Sequence, residues 1–186
     1  MKKRLYILFL SLFSVSGVTS AQEVFNKVME SAQHILNEPT STFTNTQIAK
    51  FKVDELNYMK GKAMEKDSVA AIDLLDVQSY YMSEFLSMFY TEIIYSTDLS
   101  AEDRKAKILL FIQASCACPL FNDTDKEKIN KYIDGDAQLT PFCLDTDWYK
   151  AYQFVTKVVE QKRVTCKQHY KKNLRGNSKI FLFYCL

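Results

Sequence analysis

The chain has 186 residues, of which 47% are apolar and 25% charged, and its formal net charge is +2. This composition excludes collagenous, low-complexity and intrinsically disordered chains. The chain contains only 4 glycines and 3 prolines, which favours long regular elements and argues against a glycine-rich phosphate-binding loop. The length suits one domain with a sizeable hydrophobic core.

Residues 1–21 have the pattern of a secretory signal peptide. Three basic residues at positions 2–4 precede an almost wholly apolar run at 5–13, and small side chains at 19–21 suit a cleavage site. The apolar run is shorter than the roughly 20 residues that a membrane-spanning helix needs. We therefore expect export to the periplasm, the cell surface or the extracellular space.

Apolar residues recur at helical spacing after the signal and predict an all-α bundle of five or six helices. The predicted helices cover residues 23–37, 44 to a break at 67–68, 69–96, 100–118, 124–133, and 145 onward. The third is predicted to be the longest. It is apolar around much of its circumference, which is typical of the central helix of a bundle.

Four helix starts are predicted from capping patterns. Thr44 and Thr124 each have a glutamine or glutamate three residues later, which is the spacing of a capping box. Ser100 and Asp145 are of the residue types that accept hydrogen bonds from the first free backbone N–H groups of a helix.

Charge divides the chain into three parts. Residues 1–21 carry +3, residues 22–161 carry −8, and residues 162–186 carry +7 with no acidic residue. The predicted organisation is therefore a signal peptide, a helical domain and a basic tail that ends in seven apolar or aromatic residues. Three interpretations of the tail stay open: docking on the acidic body, a disordered or accessory segment with an aggregation-prone end, or binding to anionic lipid. The residues predicted to contact a membrane or a partner are Lys167, Lys171, Lys172, Arg175 and Lys179.

Five cysteines remain after removal of residues 1–21, and an oxidising compartment favours disulfides. A bridge from Cys116 or Cys118 to Cys143 would join the fourth helix to the loop before the sixth. Free buried thiols are the alternative. The cysteine spacing lacks the Cys-x-x-Cys redox motif and the paired motifs of a structural zinc site.

Known catalytic motifs are absent. The sequence has no His-Glu-x-x-His, no Gly-x-Ser-x-Gly and no Ser-x-x-Lys. The two histidines, His34 and His169, are far apart in the sequence. The acidic run at 123–127 lacks the glycine and closing glutamate of an EF-hand calcium loop. We expect no catalytic residue, cofactor or metal ligand. The acidic body also argues against binding to nucleic acid.

Aromatic residues are abundant on the third predicted helix. Tyr80 and Tyr81 point in different directions, as do Phe89 and Tyr90, and one neighbouring helix cannot cover them all. They are either core residues or the lining of a groove for a peptide, a glycan or a partner helix.

Four short stretches carry a resemblance to known proteins: Thr-Ser-Ala-Gln at 19–22, Leu-Asn-Tyr-Met at 56–59, Tyr-Tyr-Met-Ser-Glu-Phe at 80–85 and Pro-Leu-Phe-Asn-Asp at 119–123. Together they resemble an uncharacterised group of small exported helical proteins of Bacteroidetes-type bacteria. The resemblance covers about residues 1–160 and implies export and a helical fold, with no active-site residue. In that setting Ser68, within Asp-Ser-Val, is similar to an O-glycosylation acceptor.

The sequence therefore predicts an exported, non-catalytic helical interaction module that contacts another protein or a cell-envelope component. Two alternatives stay open. One is an enzyme with a dispersed site, in particular a thiol-based one. The other is a peripheral membrane protein that acts through the basic tail.

Overall fold

The computed structural model describes residues 22–65, 69–135 and 139–175, and within them all side chains except those of residues 69–73 and 162–175. In this part of the chain every regular element is helical and no strand is present, which confirms the predicted all-α bundle. The helices are α1 (Glu23–Asn37), α2 (Phe43–Glu65), α3 (Val69–Phe89) with a π-helical turn (Tyr90–Ile94), α4 (Ala101–Ala117), α5 (Lys126–Ile129) and α6 (Trp148–Arg175). The predicted signal peptide lies outside the described residues.

The start of α4 is as predicted, and the start of α2 is not. Ser100 Oγ accepts a hydrogen bond from the backbone N–H of Asp103 over 3.1 Å, the contact expected of an N-cap. At α2 the capping oxygen belongs to Thr42, which accepts from the Asn45 N–H over 3.2 Å. Thr44 is already inside the helix, so the predicted cap was wrong by two residues.

The starts of α5 and α6 are also displaced from the predicted residues. Asp125, not Thr124, accepts from the Lys128 N–H over 3.1 Å. Asp147, not Asp145, accepts from the backbone N–H of the third residue of α6, also over 3.1 Å. The carboxylate of Asp145 is bound instead to the loop before α5, which explains why it does not cap α6.

Helix α3 lies centrally and packs against α1, α2 and α6, while α4 packs against α6. The core is aromatic: Phe85 lies 4.9 Å from Phe111, 5.3 Å from Phe142 and 5.3 Å from Trp148, measured between ring centroids. Edge-to-face contacts of this kind add about 0.5–1.5 kcal/mol each to the burial of the rings. Residues from α3, α4, α6 and the loop at 139–147 therefore share one core.

The 3.6-residue spacing of apolar residues predicts one buried face on α2 and one on α3, and the structure largely confirms both. The residues of these two faces that the structure buries include Phe51, Leu56, Met59, Ala63, Leu75, Met82, Phe85, Leu86, Phe89 and Ile93. Helical spacing also predicts that Leu109 lies on the buried face of α4, and this prediction is wrong, because its side chain is 55% exposed while Phe111 fills the core.

Helix α6 has 28 residues and α3 has 21, so the prediction that the third helix is the longest was wrong. The helix continues through the charge break at residue 161, since the basic residues that follow are good helix formers. The change in composition is therefore not a break in secondary structure. At about 1.5 Å per residue, α6 is about 42 Å long.

Candidate functional site

Trp148, the first residue of α6, is held in the core by polar side chains from two other helices. Its indole Nε1–H donates to Glu55 Oε1 of α2 over 2.9 Å, and its backbone N–H donates to Gln78 Oε1 of α3 over 2.6 Å. Gln78 Nε2 in turn donates to Asp147 Oδ1 over 3.1 Å. All four residues are buried, so this network fixes where α6 begins relative to α2 and α3.

Glu55 is fully buried, and its second oxygen, Oε2, has no hydrogen-bond partner among the described residues. Burial raises the pKa of this carboxyl well above its usual value, and the Asp145 carboxylate raises it further. Glu55 therefore favours the neutral, protonated form in the folded state. Its role is to accept the Trp148 indole N–H inside the core.

Asp145 organises the loop that joins α4 to α5. Its Oδ1 accepts from the backbone N–H groups of Leu120 and Phe121 over 3.1 and 2.7 Å, and its Oδ2 accepts from the Asp123 N–H over 2.8 Å. Asn122 between them has a left-handed backbone with φ of 57°, which asparagine tolerates better than most residues. One buried carboxylate thus replaces the hydrogen bonds that regular structure would give this loop.

A cleft of about 720 Å³ lies beside this loop and is lined by Cys116, Asn122, Asp123, Cys143 and Asp145, among others. The carboxylates that line this cleft already have hydrogen-bond or ion-pair partners within the protein. Asp123 Oδ2 accepts from Tyr58 Oη and pairs with Lys62 Nζ, each over 3.0 Å. The backbone N–H of Asp125, together with Lys62 and Tyr58, holds the pKa of Asp123 at about 2. The described residues contain no group of three or more side chains placed to hold a metal ion.

The predicted disulfide is not formed. Cys116, Cys118 and Cys143 are all free thiols. Cys143 is buried, with its backbone N–H donating to Ser115 Oγ over 2.9 Å, whereas Cys116 is exposed. The loop is held by the Ser115 hydroxyl and by Asp145 rather than by a covalent bridge. Cys166 belongs to the part of α6 whose side chains are not described, and Cys185 lies outside the described residues.

We expect these thiols to react slowly with an alkylating agent. Partial desolvation raises the pKa of Cys116 and Cys118, and burial raises the pKa of Cys143 to about 11, so the reactive thiolate is scarce at neutral pH. In a variant with Cys166→Ser and Cys185→Ser, iodoacetamide should modify Cys116 more slowly than it modifies glutathione. Cys143 should be modified only in urea, as followed by mass spectrometry.

A thiol that reacts faster than glutathione in the folded protein would contradict this expectation and would support the thiol-enzyme alternative. The same protein in concentrated urea is the control, since all three sites should then react at similar rates.

Four tyrosines form a continuous cluster on the surface between α3 and α6. Tyr81 is central: its ring centroid lies 5.1 Å from Tyr80, 4.8 Å from Tyr149 and 5.5 Å from Tyr152. Tyr80 is 42% exposed and Tyr149 is 39% exposed, and Val77, one turn before Tyr81, is exposed as well. We call Tyr80, Tyr81, Tyr149 and Tyr152 the tyrosine patch.

The two interpretations of the aromatic residues of α3 therefore apply to different residues. Phe89 and Tyr90 are buried, and the Tyr90 hydroxyl donates to the Leu139 carbonyl over 2.6 Å, so both belong to the core. Tyr80 is exposed and Tyr81 is half-buried beneath it. Tyr149 was not singled out from the sequence, although it stands three residues before Tyr152 at helical spacing.

The other predicted site residues are not brought together by the described structure. Ser68 and Lys179 lie outside the described residues. Lys167, Lys171, Lys172 and Arg175 belong to the last turns of α6, where side chains are not described. His34 is exposed at the end of α1. None of the helices in the described ranges is long and apolar enough to cross a membrane.

No model of a protein family, no curated protein and no solved structure matches the chain.

Proposed function

We propose that the protein is an exported, non-catalytic binding module whose tyrosine patch contacts another protein or a cell-envelope component. The observation that carries this proposal is the exposure of Tyr80 and Tyr149 in a cluster of four touching rings. Isolated exposed apolar side chains are ordinary in folded proteins, whereas contiguous exposed aromatic surface is typical of interaction sites.

Tyrosine is suited to recognition for physical reasons. Its ring buries a large area, and it loses little conformational freedom on binding because it has only two side-chain dihedrals. The rings of the patch already restrain one another, so part of the ordering cost of binding is met before a partner arrives. Aromatic residues of this kind are the ones on which binding energy concentrates at protein interfaces.

The cleft supports a structural role better than a catalytic one. Asp145 is occupied by three backbone N–H groups, and Asp123 is occupied by Tyr58 and Lys62. The pKa of each thiol near it is raised by burial rather than lowered, which is the reverse of what a cysteine nucleophile needs. A thiol enzyme is therefore the weaker candidate.

The location outside the cytoplasm is supported by the signal-like pattern of residues 1–21 and by the sequence resemblance to exported helical proteins. In that setting the available partners are envelope proteins and envelope surfaces. A periplasmic or cell-surface binding module agrees with the absence of catalytic motifs from the sequence.

The proposal is tested by quantitative affinity capture from cell-envelope extract. The Tyr80→Ala/Tyr149→Ala variant should retain its principal partner at least about tenfold less than the unmodified protein, because two interface aromatics are removed. Leu109→Ala is the matched control, since it removes an exposed apolar side chain from α4 instead. Identical sets of captured proteins for the two variants, with unchanged urea midpoints, would contradict the proposal.

A further inference from the structure

The tyrosine patch has carboxylates beside it. Glu84 is exposed on α3, four residues after Tyr80 and three after Tyr81, and residues at those spacings are neighbours on a helix surface. Glu92 lies two turns further along the same side, on the π-helical turn. Among the described side chains, neither glutamate has a salt-bridge partner.

The cations near the patch do not neutralise these carboxylates. Lys150 follows Tyr149, but its Nζ is paired with Asp147 Oδ2 over 3.0 Å. Lys157 lies about 140° around the axis of α6 from Tyr152 and about 80° from Tyr149, and it forms no ion pair with Glu84 or Glu92. The side of the bundle that carries the patch therefore combines aromatic rings with two carboxylates that form no ion pair with a lysine or arginine among the described side chains.

The electrostatics of Tyr152 agree with this arrangement. Burial raises the pKa of its hydroxyl, and the carboxylates of Glu84 and Glu92 and the neighbouring Tyr80 and Tyr81 raise it further. The hydroxyl is protonated at neutral pH, as an ordinary tyrosine is, and can donate a hydrogen bond. The faces of the rings carry the negative part of the aromatic quadrupole, which attracts cations.

We infer that the partner segment that occupies the tyrosine patch is cationic, with arginine or lysine side chains that stack on the tyrosines and pair with Glu84 and Glu92. This inference rests on the proposed function and specifies the chemistry of the partner. Arginine fits best, because its planar guanidinium stacks on an aromatic ring while its N–H groups reach a carboxylate.

Other occupants fit the patch less well. A purely apolar segment would bury Glu84 beside it without a partner, and an unpaired charge that loses water is costly. An acidic segment would be repelled by both glutamates. A cationic segment gains from the rings and from the carboxylates at the same time.

The test is a titration of the ¹⁵N-labelled full chain with two acetylated hexapeptide amides, followed by amide chemical shifts. One peptide alternates glycine and arginine, and the other replaces arginine by its neutral isostere citrulline. The arginine peptide should shift the amides of residues 77–84 and 149–153 and should bind at least about fivefold more tightly than the citrulline peptide. The difference should shrink at high salt, because exposed ion pairs are screened.

The Glu84→Gln/Glu92→Gln variant should lose most of the preference for arginine, whereas Glu30→Gln, an exposed glutamate on α1, should keep it. Equal binding of the two peptides, no binding of either, or shifts at the patch only with a neutral oligosaccharide such as maltohexaose would overturn the inference. Its failure is distinguishable from failure of the proposed function. If the paired tyrosine variant loses its captured partner while the two peptides bind equally, the patch is a binding surface and its partner is not cationic.

Discussion

Replacement of Asp145 by alanine should lower the free energy of unfolding by about 3–5 kcal/mol. The substitution removes the acceptor for the backbone N–H groups of Leu120, Phe121 and Asp123. A fully buried donor left without a partner costs about 1–3 kcal/mol. These three donors are only partly buried, so entry of water from the adjacent cleft offsets part of the sum. Urea denaturation followed by the fluorescence of Trp148 measures the change, since this is the only tryptophan of the chain and it is fully buried.

Asp98→Ala is the matched control for this prediction. Asp98 is exposed, and among the described residues its side chain accepts only from the neighbouring Thr97 hydroxyl, so the change should cost less than about 0.5 kcal/mol. Asp145→Asn should be intermediate, because its amide keeps one acceptor and turns two N–H groups toward the loop. Equal stability of Asp145→Ala and Asp98→Ala would contradict the assigned role of Asp145.

Glu55→Gln should stabilise the protein at neutral pH although it alters a fully buried hydrogen-bonding residue. The glutamine carbonyl can still accept from the Trp148 indole N–H, and the amide carries no charge. The unmodified protein either keeps Glu55 protonated in the core or ionises it there, and both cost free energy relative to an unfolded chain in which Glu55 is freely ionised. The gain comes from removal of that cost.

The contribution of Glu55 to the free energy of unfolding should fall as pH rises. Because burial raises the pKa of Glu55 in the folded state, its contribution to stability is complete below the unfolded-state pKa of about 4.3 and declines as pH rises toward the folded-state pKa. The limiting slope is about 1.4 kcal/mol per pH unit. The advantage of Glu55→Gln should therefore be small near pH 4 and should grow toward neutral pH.

Urea denaturation at several pH values measures this advantage, with Glu30→Gln as the exposed control that should show none. Glu55→Ala should be destabilising at every pH, since it leaves a cavity and an indole N–H without an acceptor. A Glu55→Gln advantage that is the same at every pH, or that is largest in acid, would contradict the assignment of a buried carboxyl with a raised pKa.

Helical periodicity was sufficient to predict the bundle and most of its core. Phe51, Leu56, Met59 and Ala63 on α2 share one side of a 3.6-residue repeat, and the structure buries all four. Burial of such a stripe depends mainly on local spacing, which is why it can be read from one sequence. The caps of α2, α5 and α6 were missed by one or two residues, because adjacent threonine and aspartate residues compete for the same role.

The polar part of the core depends on contacts that local spacing does not determine. Glu55 lies between Phe51 and Met59 at four-residue spacing, and Gln78 lies between Leu75 and Met82, so both occupy buried faces. That spacing could have marked them as buried polar residues. Their partner, Trp148, is 93 and 70 residues away in the chain, and no sequence pattern links them.

The sequence indicated only the half of the tyrosine patch that lies on α3. Tyr80 and Tyr81 could be singled out because two adjacent tyrosines cannot both face one neighbouring helix. Whether they were core or surface depended on where α6 packs, and α6 adds Tyr149 and Tyr152 beside them. The predicted disulfide failed for a related reason, because cysteine spacing does not reveal that Cys143 is buried while Cys116 faces outward.

Site-specific photo-cross-linking in cells determines whether the protein recognises its partner through the tyrosine patch. A photoreactive phenylalanine analogue replaces Tyr80 or Tyr149 in turn, with Phe43 and Leu109 as exposed apolar control positions on α2 and α4. If the tyrosine patch is the recognition surface, both patch positions should cross-link to the same partner and the control positions should not. Adducts that form equally at all four positions, or only at Phe43 and Leu109, would contradict it.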